Sequence, residues 1–399
     1  MFARRTAWQS EPNRFTQALE ARRRQNGELL DLTESNPTRS GFEYPPALLD
    51  ALHTSAALDY APEAQGMRSA REAVSAYYAA RGDSVPPERL LLTTSTSEAY
   101  TWAFRLLCDP RDEVLVPAPS YPLFEYLASI QDVAPVRYPL FYDHGWQVDL
   151  HALEQAVTER TRAVLVVNPN NPTGSYLQPA ELEAMNRLCS ASGLALVADE
   201  VFLDFPHNDF PHNDFPYAAK PRPSLANNAA ALTFTLSGLS KIAGLPQMKV
   251  AWMAVSGPAA QAAQALARLE VIADTYLSMN TPMQLALPAL LASRSGFQKQ
   301  LRERVQTNSK ALNAALAAVP SVERLESEAG WYAVLRTPHT GSDEDLAIAL
   351  LEEQGVVTHP GHFYDFRAEG YLVLSLITPA ALFREGATRL ATFLARRFR

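Results

Sequence analysis

The chain has 399 residues, 47% of them hydrophobic and 20% charged, with a formal net charge of −8. This is an ordinary globular composition, long enough to bury a large core, and its acidic balance argues against nucleic acid and anionic membranes as partners. Its two cysteines, Cys108 and Cys189, exclude a disulfide framework, and their apolar, helical settings predict buried thiols in a reducing compartment.

The opening "MFARRTAWQSEPNRF" lacks the apolar stretch of a secretory signal, and no apolar run reaches the roughly 18 residues of a membrane span. A cytoplasmic location is expected. Short apolar runs follow: 89–94, 113–117, 163–168, 194–199, 232–236 and 250–255. Helical patterns at 96–107, 121–130 and 178–192 lie between several of them. Strand–helix alternation with near-continuous apolar strands predicts a mostly parallel sheet covered on both faces, in an α/β domain over 45–275. Amphipathic helices at 281–293 and 296–318, strands at 330–336 and 370–376 and a last helix at 379–397 predict a smaller α+β domain. Residues 1–44 show little strand character and are expected to pack with it.

"FPHND" occurs at 205–209 and again at 210–214. His207, Asp209, His212 and Asp214 have metal-ligand chemistry, but Pro and Asn-Asp content favours an exposed, inserted loop, and no metal is expected.

Four stretches put polar groups just past the carboxyl end of an apolar run, the edge where open α/β sheets bind ligands. Ser95, Thr96 and Ser97 stand at a strand-to-helix turn suited to an anion. "NPNNPTG" at 168–174 ends a run in amides held by prolines. Asp199 ends another, and "SGLSK" at 237–241 ends a fourth in Ser240 and Lys241. A phosphate cradle, an amide, a carboxylate and a lysine on one edge suit a phosphorylated cofactor with a covalent lysine, and pyridoxal phosphate needs that set. Singly, each has a blander reading: a solvated Ser-Lys pair, an Asp helix cap, a turn cluster.

Taken together, "NPNNPTG", "ADEVF" at 198–202 and "SGLSK" with a cation at 249 resemble the aminotransferase class I/II family of fold-type I pyridoxal-phosphate enzymes, the aspartate aminotransferase superfamily. "SYPLFEY" at 120–126 and "HPGHFY" at 359–364 resemble weaker blocks of it. The resemblance implies a homodimer that moves an amino group from a small-molecule donor to a 2-oxo acid. It implies that Lys241 forms the Schiff base and moves the α-proton. Asp199 pairs with the ring nitrogen, Asn171 with the phenolic oxygen, and Tyr121 stacks on the ring. Ser95, Thr96, Ser97 and Ser240 hold the phosphate, with Lys249 as counter-ion. Tyr60 reaches the phosphate of a neighbouring subunit, and Asn280 borders that site.

Three positions depart from the family pattern. Phe202 replaces a tyrosine, Lys249 an arginine, and Val373 the arginine that grips the substrate carboxylate. Arg39, beyond the stiff Asn36–Pro37 turn, is the substitute cation to consider, with a surface pair to Glu34 or Glu43 as its other reading. Trp331 and Tyr332 fit an apolar substrate side chain or simple packing. The same cofactor set also suits a C–S β-lyase or a decarboxylase, and a non-catalytic cofactor-binding module is a third reading.

Overall fold

The structure, a computed structural model, describes residues 1–8, 11–207, 222–339 and 341–398. Eight strands build the main sheet: β1 (Leu90–Thr93), β2 (Glu113–Ala118), β3 (Ala134–Tyr142), β4 (Trp146–Val148), β5 (Thr161–Val167), β6 (Ala195–Asp199), β7 (Thr233–Gly238) and β8 (Ala251–Ser256). Their order is β1-β8-β7-β6-β5-β2-β3-β4. The run from β7 to β3 is parallel, while β8 lies antiparallel between β1 and β7, and β4 antiparallel to β3. The expected sheet is therefore present in mixed form. Sequence reasoning did not name β3 and β4, because Pro135, Arg137 and Pro139 interrupt the apolar pattern of a strand that is half-exposed.

Side chains along each strand alternate between the two faces. Ala163, Leu165 and Val167 join Tyr100, Phe104 and Leu269 from the helices Thr96–Leu107 and Ala259–Tyr276. Val164 and Val166 point the other way, toward Met185 and Cys189 of the helix Pro179–Ser192. Both faces are thus closed by helices, which is why the strands read as continuous apolar runs. Cys189 is buried as expected, but Cys108 ends its helix in extended backbone and is only partly buried.

A second sheet, ordered β9-β10-β12-β11, comprises β9 (Glu323–Arg324), β10 (Tyr332–Arg336), β11 (His359–Pro360) and β12 (Tyr371–Ser375), all antiparallel. Its core gathers Leu312, Leu350, Leu374 and Leu390, together with Phe15, Leu30, Leu32 and Phe42 from the start of the chain. Leu30–Asp31 even pairs in parallel with Val356–Val357. The helix Thr281–Ala292 instead puts Met283, Leu287 and Leu290 among Val74 and Trp252, against the main sheet. Among the described residues no helix is long and apolar enough to cross a membrane.

Candidate active site

Register brings the site together. Thr93, Ala251 and Gly238 form one row across β1, β8 and β7, so the turns at 94–97, 239–241 and 249–250 emerge side by side. Val167, Asp199 and Leu236 form the next row, across β5, β6 and β7. Gly238 is required where β7 leaves the sheet: a Cβ there would lie 2.8 Å from Val250 O.

Lys241 sits in a four-residue helix, Leu239–Ile242, directly after β7. Its Nζ lies 4.9 Å from the Trp331 ring centre and 5.6 Å from that of Phe202. Among the described residues the amine has no hydrogen bond or ion pair. Burial pulls its pKa down to about 8, against the opposing pull of the Asp199 charge. A lysine this poorly solvated is partly neutral near physiological pH, the form that attacks a carbonyl carbon.

Asp199, the last residue of β6, is 6% exposed. Its Oδ1 accepts the Val201 N–H at 3.1 Å and its Oδ2 the Tyr100 hydroxyl at 3.2 Å. Burial raises its pKa to about 6, against the lowering by those two bonds and by Lys241. The three asparagines of "NPNNPTG" divide sharply. Asn168 accepts the Leu177 N–H at 3.0 Å, and Asn170 donates to Pro119 O and Thr173 Oγ1 while accepting from Ser120. Both fix the loop. Asn171, only 7% exposed, leaves Oδ1 without a hydrogen-bond partner among the described residues.

The turn after β1 is tied from behind. Glu98 Oε2 accepts from Thr94 N at 2.7 Å and Thr94 Oγ1 at 2.9 Å, and Glu98 Oε1 accepts from Ser278. Ser95 spends its hydroxyl capping the Glu98 N–H at 3.1 Å. The hydroxyls of Thr96, Ser97 and Ser240 stay free of partners among the described residues, as do the N–H groups of Thr96 and Ser97. Lys249 is exposed, in left-handed backbone with φ +52°.

Aromatic rings wall the other side. Phe202, 3% exposed, meets Trp331 edge-on at 4.8 Å and Tyr332 at 6.2 Å, and Tyr332 meets Tyr364 at 6.3 Å. Tyr121 is half-buried, its phenol pushed up to about 12 by burial, with Asp199 and then Tyr332 adding to the rise. Val373 is fully buried in β12, paired with Val334 and His359. Arg39 is exposed and forms no ion pair among the described residues, so the alternative pairing with Glu34 or Glu43 is not made. Asn36 turns its side chain onto Thr38, at 3.0 Å to N and 2.8 Å to Oγ1. Tyr60 is 81% exposed, and Asn280 caps the Met283 N–H at 3.0 Å.

In the repeat, His207 sets its ring nitrogens 2.9 Å from Ser327 O and 2.9 Å from Gly330 O. Asp209, His212 and Asp214 lie outside the described residues. Sequence reasoning overlooked Tyr100, the hydroxyl on Asp199; its place one helical turn after Thr96 was the available signal.

A family model described as aminotransferase class I and II matches residues 28–390. Alanine aminotransferase of Mycobacterium tuberculosis is 29% identical over 386 residues, covering 92% of this chain and 85% of that protein. Glutamate-pyruvate aminotransferase AlaA of Haemophilus influenzae is 25% identical over 380 residues, covering 93% and 92%. Among solved structures, alanine aminotransferase from Pyrococcus furiosus shares the fold with a TM-score of 0.85 at 21% identity, with both chains covered in full.

Proposed function

The chain belongs to the aminotransferase class I and II family and is a pyridoxal-phosphate-dependent transaminase, and from that premise we propose how its own residues divide the work. The residues present fit the cofactor. A buried amide with a spare Oδ1, an unbonded lysine and a helix N-terminus with free hydroxyls all meet on one sheet edge. When bound, pyridoxal phosphate supplies a carbonyl carbon for the amino group and a ring that draws electrons from the α-carbon.

Lys241 would bond that carbon until the donor's amine displaces it, and the freed amine, kept available by its lowered pKa, would then take the α-proton onto Nζ and pass it on. Asp199 would hold the proton of the ring nitrogen; a cation there would compensate the burial that now raises its pKa. Asn171 would bond the phenolic oxygen and Tyr121 would cover the ring face. Thr96, Ser97, Ser240 and the turn capped by Ser95 would take the phosphate, with Lys249 neutralising it from the exposed side. Phe202 and Trp331 exclude water from around Nζ.

On the substrate side, Val373 has no charge to offer, and a desolvated carboxylate left unpaired costs several kcal/mol. Arg39, uncommitted at the end of the turn that Asn36 caps, is the cation we assign to it. Alanine and glutamate, which name the relatives, are the first donors to test, with a 2-oxo acid as acceptor.

A homodimer is part of the same reading. Tyr60, Leu58, Val271 and Tyr276 are 81%, 88%, 68% and 45% exposed, apolar side chains that a second copy would cover. Tyr60 and Asn280 would face a second copy's site. We keep a large body over 45–275 and a small one from 1–44 and 276–399. The shared core of Phe15 and Leu32 with Leu390 supports it, while Met283 and Leu287 argue for moving Thr281–Ala292 to the large body. The cytoplasm is the proposed location.

The observation that supports the reading most is the unbonded Lys241 amine and Asn171 Oδ1 on the same edge as the buried Asp199 carboxylate. The test is spectroscopic. An amino acid added to holoenzyme should abolish the visible band of the cofactor, and a 2-oxo acid should restore it. Release of ammonia with the band retained would mean elimination instead, since that reaction leaves no amino group on the cofactor.

A further inference from the structure

The lysine turn is gripped from outside itself. Past the Leu239 N–H, which reaches Val250 O at 3.0 Å, its backbone closes local bonds: Ala243 and Leu245 N–H onto Leu239 O, and Gly244 N–H onto Lys241 O. Two long-range side chains take the next carbonyls. Gln298 Nε2 donates to Ile242 O at 3.0 Å, and the Tyr44 hydroxyl donates to Gly244 O at 2.7 Å. Gln298 is 9% exposed and gives its second N–H to Asp204 Oδ2 at 2.9 Å. The other oxygen of Asp204 accepts from Tyr77 at 3.2 Å and is paired with Arg81.

Neither grip can slide. Gly244 has φ +66°, and a Cβ on it would lie 2.4 Å from the Phe297 ring. Tyr44 stacks on that same ring, with centres 6.0 Å apart and planes 15° apart, and Phe42 meets it edge-on at 5.3 Å. The chain before Tyr44 is fastened to the same helix, Arg294–Leu316. Glu43 and Gln300 exchange hydrogen bonds of 2.9 and 3.0 Å, and Arg304 donates to Ser40 O at 2.9 Å. The segment that ends at Tyr44 begins with Asn36 and Arg39.

We propose that Tyr44 and Gln298 are positioning residues for the Lys241 amine, and that residues 40–44 with the first turns of Arg294–Leu316 clasp the Arg39 segment to the lysine turn. The inference rests on Lys241 being the cofactor lysine. A four-residue helix has little stiffness of its own, and a misplacement of about 1 Å at a reacting group costs on the order of a hundredfold in rate. Carbonyls held by side chains of another element set the pitch of that helix, and with it the direction of a long, otherwise unbonded side chain.

The test uses holoenzyme carrying Tyr44→Phe, which keeps the ring stack, and Gln298→Met, which keeps the volume and removes both donors. Each should shift the pH midpoint of the cofactor's visible band by at least about half a unit and lower kcat about tenfold, with KM for the donor within twofold. Gln298→Glu cannot donate and should not rescue. Variants that lose melting temperature but keep the wild-type midpoint and kcat overturn the proposal, since the residues would then be structural only. A wild-type protein with no visible band would instead sink the cofactor reading itself.

Discussion

Two neighbouring acids leave β6 in opposite directions, and burial raises both, Asp199 to about 6 and Glu200 to about 7. Glu200 is wrapped on its own side of the sheet: Ser224 Oγ at 2.5 Å, Leu225 N at 2.8 Å and Asn168 Nδ2 at 3.4 Å all donate to it. Asp199 has two longer bonds and faces the lysine edge. The same contrast separates Asn170 from Asn171. Buried polar groups that the fold fully satisfies belong to the structure. Trp146 Nε1 and Asn308 Oδ1 also lack partners among the described residues, so what marks a ligand site is under-bonded groups gathered on one sheet edge, against a strong general tendency.

The sharpest break of that comparison is Lys241→Ala. On this reading kcat falls by at least about ten thousandfold, because nucleophile and proton carrier go together. The variant still binds cofactor reversibly, as dialysis with absorbance would check, and retained turnover would remove Lys241 from the site.

The acids come next. A carboxyl whose folded pKa lies above its ordinary value keeps its proton longer when folded. In cofactor-free protein, Asp199 therefore costs stability as pH rises from 3.8 toward about 6, and the full cost is present above that. Asp199→Asn should stabilise the cofactor-free protein at pH near 7.5, by roughly 2–3 kcal/mol at most, read as a raised melting temperature. It should also lower cofactor affinity. Glu200→Gln lifts a similar burial cost but also removes an acceptor that Ser224 or Leu225 needs, worth about 1–2 kcal/mol, so it should stabilise less than Asp199→Asn. Calorimetry in which Glu200→Gln stabilises as much as Asp199→Asn or more would erase the distinction.

Arg39→Ala should cut kcat/KM for amino acids by about a hundredfold, the loss of a charge-assisted pair, and leave cofactor affinity unchanged. Wild-type kinetics would turn attention to amines without an α-carboxylate. Smallest is Lys249→Ala. On the proposed reading the exposed amine would add charge to a phosphate already held by N–H groups and hydroxyls, so affinity should fall about tenfold, or 1.4 kcal/mol. A cofactor titration that coincides with wild type would make Lys249 a surface residue.

Much of this was legible in the chain. The apolar runs that became β1, β2, β5, β6, β7 and β8 were visible because both their faces are covered. β3 was not, since prolines and half-exposure remove the pattern. Lys241, Asp199 and Asn171 stood out because each follows a strand at a turn. Tyr44, Tyr100 and Gln298 did not. They act through contacts 99 to 200 positions away, or 56 for Gln298, and nothing local in their segments encodes the partner.

The antiparallel β8 has a consequence for the order of assembly. Thr93 and Gly238 flank Ala251, so the turns proposed to take the phosphate come from segments far apart in the chain and meet only when β8 has entered between β1 and β7. Loop closure on that scale is late and slow. The cofactor can then bind only a nearly completed sheet and stabilises that last species alone, by about 2.7 kcal/mol at a hundredfold excess over its Kd. Cofactor supply would act as a latch on the final folding step, and newly made chains short of it would linger with β1 and the lysine turn apart.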